Sequence, residues 1–217
     1  MTGKSLLLAE DFDGLPDGSP PPSDWWVEGG ESVRVESGRL RVKANPSDAK
    51  APGCVCTVWN RTVLSGSLRV DFDACVVEST IDANNINLFL YYADPSGKPL
   101  HDTRASRASG EYGLYHRLNG YIFTFLNDTE RPDRARFRIR RCPGFRLLAE
   151  TFGYHCRRGV VYHVAVAARE GIITYAVDGE VRLAARDPSP WSSGLLGLRT
   201  YQTDLWWDNI RVTSLDA

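Results

Sequence analysis

The sequence has no stretch of sustained helical periodicity and no Gly-rich phosphate loop, which argues against a helical protein and a phosphate-cradling nucleotide site. No apolar run approaches membrane-spanning length. The three leucines and one alanine in MTGKSLLLAEDFDG are too few for the apolar region of a signal peptide, so the expected location is the cytoplasm. A formal net charge of −1 provides no overall basic field, and neither nucleic acid nor a membrane is expected as partner. The five cysteines are Cys54, Cys56, Cys75, Cys142 and Cys156, an odd number that speaks against a disulfide framework. Cys54-Val-Cys56 is too closely spaced for a redox pair or a zinc knuckle. No cofactor is required on these grounds.

Short alternating segments broken by turn residues fill the chain. In SVRVESGRLRVKA, Val33 and Val35 alternate with Arg34 and Glu36, and Leu40 and Val42 with Arg41 and Lys43, about a Ser37-Gly38 turn. Asp178-Gly179 between apolar runs is a two-residue hairpin signal. Further strands are expected over 5–12, 54–59, 67–78 and 87–92, and in the segments RLLAETF, VVYHVAVAARE and GLLGLRTYQTDLWWDNIRVTSL. The loop ADPSGKPLHDTRASRASGE carries His101, Asp102, Arg104 and Arg107, and long loops in compact domains are often binding loops. With no linker and no repeat, residues 1–217 are expected to form one all-β jelly-roll domain, a sandwich of two antiparallel sheets.

Residues 112–145 concentrate the potential chemistry. Arg134, Arg136, Arg138 and Arg140 alternate with Ala135, Phe137 and Ile139, so one strand face is a comb of guanidinium groups and the other is apolar. Tyr121, Phe123 and Phe125 share one face of the preceding run, which follows Tyr115, His116, Arg117 and Asn119. Like charges in a row repel, and arginine forks bind carboxylates bidentately. An anionic ligand is therefore expected at Arg138 or Arg140, with Arg134 and Arg136 on a solvated face. Of the aromatics Trp25, Trp26, Tyr91, Tyr121, Trp206 and Trp207, one of each tryptophan pair is expected in the core, because adjacent strand residues face opposite ways. The others suit stacking on sugar rings.

The hairpin VDGE, the late GLLGLRT and the closing WWDNIRV resemble the concanavalin A-like lectin/glucanase superfamily. Three stretches, Asp24 to Gly30, Glu111 to Asn119 and Arg138 to Phe145, are similar to the YesU-like jelly-roll family, whose members lie near genes for pectin and rhamnogalacturonan breakdown. That resemblance implies a carbohydrate context and points to Trp25, Glu28, Tyr115, His116, Arg138 and Arg140.

The leading expectation is a lyase acting on uronate-containing, rhamnogalacturonan-like oligosaccharides. His116 would take the proton beside the uronate carboxylate, Tyr115 or Tyr121 would act as acid, and Asn119 with Arg138 would neutralise the carboxylate. Asn87 and Tyr91 join Arg140, Trp25 and Glu28 as substrate-binding candidates. A non-catalytic glycan-binding module is the rival, and an interaction protein that binds no sugar a third reading. Retaining glucanase chemistry is disfavoured, since Asp71 and Asp73 alternate without a glutamate to complete a strand motif and Glu28 and Glu31 look like loop acids. An inverting hydrolase with a dispersed carboxylate pair stays open. A structural calcium between the first and last strands would draw on Glu10, Asp11, Asp13 and Asp208.

Overall fold

The computed structural model describes residues 5–48, 50–127, 131 and 135–216. Its strands are β1 (Leu6–Glu10), β2 (Trp25–Gly29), β3 (Ser32–Glu36), β4 (Arg39–Ala44), β5 (Val55–Asn60), β6 (Leu64–Ser65), β7 (Leu68–Glu78) and β8 (Ile86–Ala93). They continue as β9 (Asn119–Asn127), β10 (Ala135–Cys142), β11 (Arg146–Phe152), β12 (Val161–Arg169), β13 (Ile172–Val177), β14 (Glu180–Arg186), β15 (Ser193–Tyr201) and β16 (Thr203–Ser214). One helical turn, α1 (Tyr112–Tyr115), and a 3-10 turn over Arg104–Arg107 lie in the long connection from β8 to β9.

All pairings among the described residues are antiparallel, in two sheets, and the fold is an all-β jelly-roll sandwich. The first sheet has the order β14-β13-β12-β7-β16-β4-β3, with β1 on the far end of β16. The second runs β11-β10-β9-β8-β15-β5-β2, with β6 paired to β15. Period-two alternation explains the layering. In β7, Leu68, Val70, Phe72 and Ala74 are buried while Arg69, Asp71 and Asp73 point away from the core. Both expected hairpins close through left-handed residue pairs, Ser37 (φ 52°) with Gly38 (67°) and Asp178 (53°) with Gly179 (79°).

The second sheet is buried on its inner face and, where the β8–β9 connection covers it, on part of its outer face. Tyr121, Phe123, Phe125, Phe137, Ile139, Leu196 and Leu198 face the first sheet in the main core. Trp26, Trp59, Phe89, Tyr92 and Ile122 form a separate apolar cluster on the opposite face, under Leu100, Tyr115 and Leu118 from the β8–β9 connection. A Cβ at Gly197 would lie 2.6 Å from the Trp59 ring, so only glycine lets that indole lie flat on β15.

Candidate functional site

The long connection is held to the sheet by one carboxylate. Glu28, on edge strand β2 and 1% exposed, accepts from the indole N–H of Trp26 (3.2 Å) and of Trp59 (3.0 Å). It also accepts from the Tyr115 hydroxyl (2.8 Å) and from Arg107 Nη2 (3.1 Å) and Nε (3.4 Å). Arg107 is itself buried and donates onward to the Leu100 carbonyl (2.6 Å) and to Thr103 Oγ1 (2.9 Å). A buried charge persists only when paired and fully hydrogen-bonded, and Glu28 meets that condition. Its carboxylate is an anchor, closed to a ligand. Tyr115 is committed to the same anchor, and burial, then the Glu28 charge, raises its pKa well above the ordinary phenol value.

Beside this anchor the register aligns a polar row across the whole sheet. Glu28 pairs with Thr57, Thr57 with Arg199, Arg199 with Asn87, Asn87 with Thr124, Thr124 with Arg138, and Arg138 with Glu150. Directly opposed residues on one face meet side by side, and the middle of the row, Arg199, Asn87, Thr124 and Arg138, lines a groove of about 240 Å³. Arg138, Arg140 and Arg199 line it together with Asn85, Asn87, Tyr112 and Phe145. Three strand spacings of ~4.8 Å set the Arg199 and Arg138 backbones roughly 14 Å apart.

The three arginines differ in their partners. Arg138 is ion-paired to Glu150. Arg199 is buried, donates to Thr57 Oγ1 (2.8 Å) and the Gly110 carbonyl (2.9 Å), and lies 4.7 Å from the Tyr112 ring centre. Arg140 donates to the Phe145 carbonyl (3.0 Å) and sits 4.1 Å over that ring. Among the described residues neither Arg140 nor Arg199 has a carboxylate within ion-pairing distance, and no carboxylate lines the groove. Burial and then the Arg138 charge hold the Arg140 pKa below its ordinary value. The side-chain oxygens of Asn85 and Asn87 are buried without a hydrogen-bond partner, as is Arg140 Nε.

His116 stacks on Phe145 (3.8 Å between ring centres) and meets Tyr112 edge-on at 4.6 Å, so it is not itself a lining residue but packs behind two that are. Burial, then the charges of Arg199 and Arg140, lower its pKa, so the ring is neutral near pH 7. Its Nε2 is buried and makes no hydrogen bond.

Asn87, Arg138 and Arg140 thus meet in the groove, with His116 beside them. The other candidates lie elsewhere. Tyr121 is on the opposite face of β9, in the intersheet core, and donates to Asp187 at 2.7 Å. Tyr91 also turns into the core, because a bulge between Leu90 and Ala93, with Tyr91 at φ 56°, breaks the alternation that began at Asn87. Trp25 packs in the core against Phe12, and its neighbour Trp26 takes the opposite face, in the second apolar cluster. Asn119 starts β9 opposite Ala93, outside the groove lining. Arg134 falls outside the described residues, and Arg136 is half-buried next to the Phe152 ring at 5.9 Å.

Asp71 and Asp73 lie on the other sheet, bound to Arg69 and His163. Of the acids considered for calcium, Glu10 accepts from the Phe12 N–H and Asp208 faces Arg39 at 3.8 Å. No group of three His, Cys, Asp or Glu side chains suited to a metal occurs among the described residues. Sequence reasoning missed Arg199, although one signal was present. A lone arginine in the apolar run GLLGLRTY shares its strand face with Gly197 and not with Leu196 and Leu198.

The family described as Domain of unknown function (DUF6250) matches residues 51–210. The chain belongs to this family. The matched span includes Thr57, Asn87, Arg107, Arg138, Arg140 and Arg199, and it leaves Glu28 outside. No curated protein matches the sequence. Among solved structures, this DUF6250 chain is similar to a protein of unknown function with a galectin-like fold from Bacillus subtilis, at 17% identity and TM-score 0.79, over 99% of this chain and 98% of that one. It is also similar to the carbohydrate-binding module CBM66 from Bacillus subtilis (14% identity, TM-score 0.61, 88% and 96% covered). A third is the carbohydrate recognition domain of Emp47p (13% identity, TM-score 0.63, 95% and 94% covered). At these identities the likeness is one of fold.

Proposed function

We propose that this protein is a carbohydrate protein that takes an acidic, uronate-bearing oligosaccharide across the groove between Arg199 and Arg138. The observation that carries the reading is the pair Arg140 and Arg199, two guanidinium groups without a carboxylate, over two carboxamide oxygens without a donor. A uronate supplies both needs at once, its carboxylate to the arginines and its hydroxyls to Asn85 and Asn87. An arriving anion also offsets the mutual repulsion of Arg138 and Arg140. The carbohydrate-binding and carbohydrate-recognition domains among the structural neighbours support the substrate class. Placement beside the YesU-like domains has support of its own. The three stretches that carry that resemblance converge here, through Tyr115 on Glu28 and through His116 and Arg140 on Phe145.

The second reading is a lyase, and the observation behind it is the depressed pKa of His116 beside the groove. With Nε2 buried, Nδ1 is the nitrogen that would take the proton next to the uronate carboxylate, and Arg140 would neutralise the resulting charge. Tyr112, which lines the groove and meets His116 at 4.6 Å, takes the place of Tyr115 and Tyr121 as the acid in this reading.

One experiment separates the readings. The protein is titrated calorimetrically with uronate-containing oligosaccharides and their neutral counterparts, and the mixtures are followed at the ultraviolet absorbance of unsaturated uronate. Binding of the acidic series alone supports the groove, and rising absorbance adds the lyase step. Product without that absorbance means hydrolysis, and equal binding of neutral sugars removes the arginines from the explanation.

A further inference from the structure

A second cavity, of about 490 Å³, shares no lining residue with the groove. Its wall is mostly apolar, built from Trp26, Val63, Tyr92, Pro99, Leu100 and Leu195. Val63 is 68% exposed there. The polar lining residues are Arg61, Lys98, His101, Asp102 and Ser193, and two of them are in contact. Arg61 Nη2 donates to His101 Nε2 at 2.8 Å, which requires that nitrogen to be an unprotonated acceptor. The chain holds Arg61 in position through its backbone N–H to the Asp24 carbonyl (2.8 Å) and through Thr62 N–H to Asn60 Oδ1 (2.9 Å). Among the described residues neither Arg61 nor Lys98 makes an ion pair, and the one lining acid, Asp102, faces His101 Nδ1 at 3.8 Å.

A sugar carries a hydroxyl on nearly every carbon, and this wall offers too few partners for them. The volume lies in the range of small-molecule sites, where an apolar body is oriented by a few polar groups. We propose that this cavity binds a small amphipathic carboxylate, an aromatic ring or branched chain bearing one acid group. The apolar body packs on Trp26 and Leu195, and the carboxylate takes the Arg61 N–H groups not given to His101, with Lys98 adding positive charge. The site stands independently of the acidic-glycan groove.

Benzoate is the probe, titrated into the full chain by calorimetry and by tryptophan fluorescence, with benzamide as the neutral isostere. Saturable benzoate binding is expected, weakened at least about tenfold by Arg61→Gln and by the change to benzamide. Arg140→Gln, in the groove, is expected to leave it unchanged. Because the Arg61 side chain is exposed, an unchanged melting temperature shows that its variant is folded. Non-saturable binding, or full binding to Arg61→Gln, overturns the proposal. So does an equal loss in Arg140→Gln, which would move the anion to the groove.

Discussion

Arg199 stands directly opposite Asn87 across the β15–β8 ladder, so a buried guanidinium and a carboxamide oxygen without a donor share one floor. Neither residue is near the other in sequence. In the function proposed above, this cation, held by neutral partners, is the one that meets the incoming carboxylate.

Arg199→Gln should therefore weaken acidic oligosaccharide binding by about tenfold or more, the scale of one charge-assisted interaction. Binding of any neutral sugar should change little. Calorimetric titration of the two ligand series checks the difference, and an equal loss in both would make Arg199 a purely structural residue.

Glu28→Gln should be severe. It leaves the Arg107 guanidinium buried beside a neutral amide, and breaking one side of a buried ion pair typically costs about 3–5 kcal/mol. Urea unfolding measures it. Adding Arg107→Met to the same chain should return part of the stability, since no uncompensated charge then remains.

Stability should also depend on His116. Its folded-state pKa is depressed from 6.5, so between the two values the unfolded chain binds more protons than the folded one. The stabilisation associated with the neutral ring is complete above about pH 6.5 to 7 and is lost as pH falls toward the folded-state pKa. Melting temperatures of the natural chain and of His116→Gln, compared between pH 8 and 5, should converge on acidification. A constant gap would contradict the assignment.

Tyr121→Phe tests the placement of that hydroxyl. It removes the bond to Asp187 in the core, so it should cost about 1–3 kcal/mol while leaving glycan binding and any turnover intact. Loss of turnover in a folded variant would return Tyr121 to the site.

Gly197→Ala should displace the Trp59 indole and lower stability by about 1–3 kcal/mol. A shift in tryptophan emission, alongside the melting temperature, checks it.

Side-chain alternation by itself determined which face each residue takes. The apolar side of β9 and β10, the arginines opposite it and the splitting of each tryptophan pair follow from a period of two, and the two left-handed hairpin turns follow from Ser37-Gly38 and Asp178-Gly179. That period cannot say which strands become neighbours. The row from Glu28 to Glu150 exists only because β15, β5 and β2, distant in sequence, add beside the consecutive strands β8 to β11 in one register. Nor can it foresee the bulge that turns Tyr91 inward, or that a loop arginine 79 positions away would bury its charge on Glu28. Those are decisions of long-range packing and desolvation, and they separate a solvated comb of arginines from a groove.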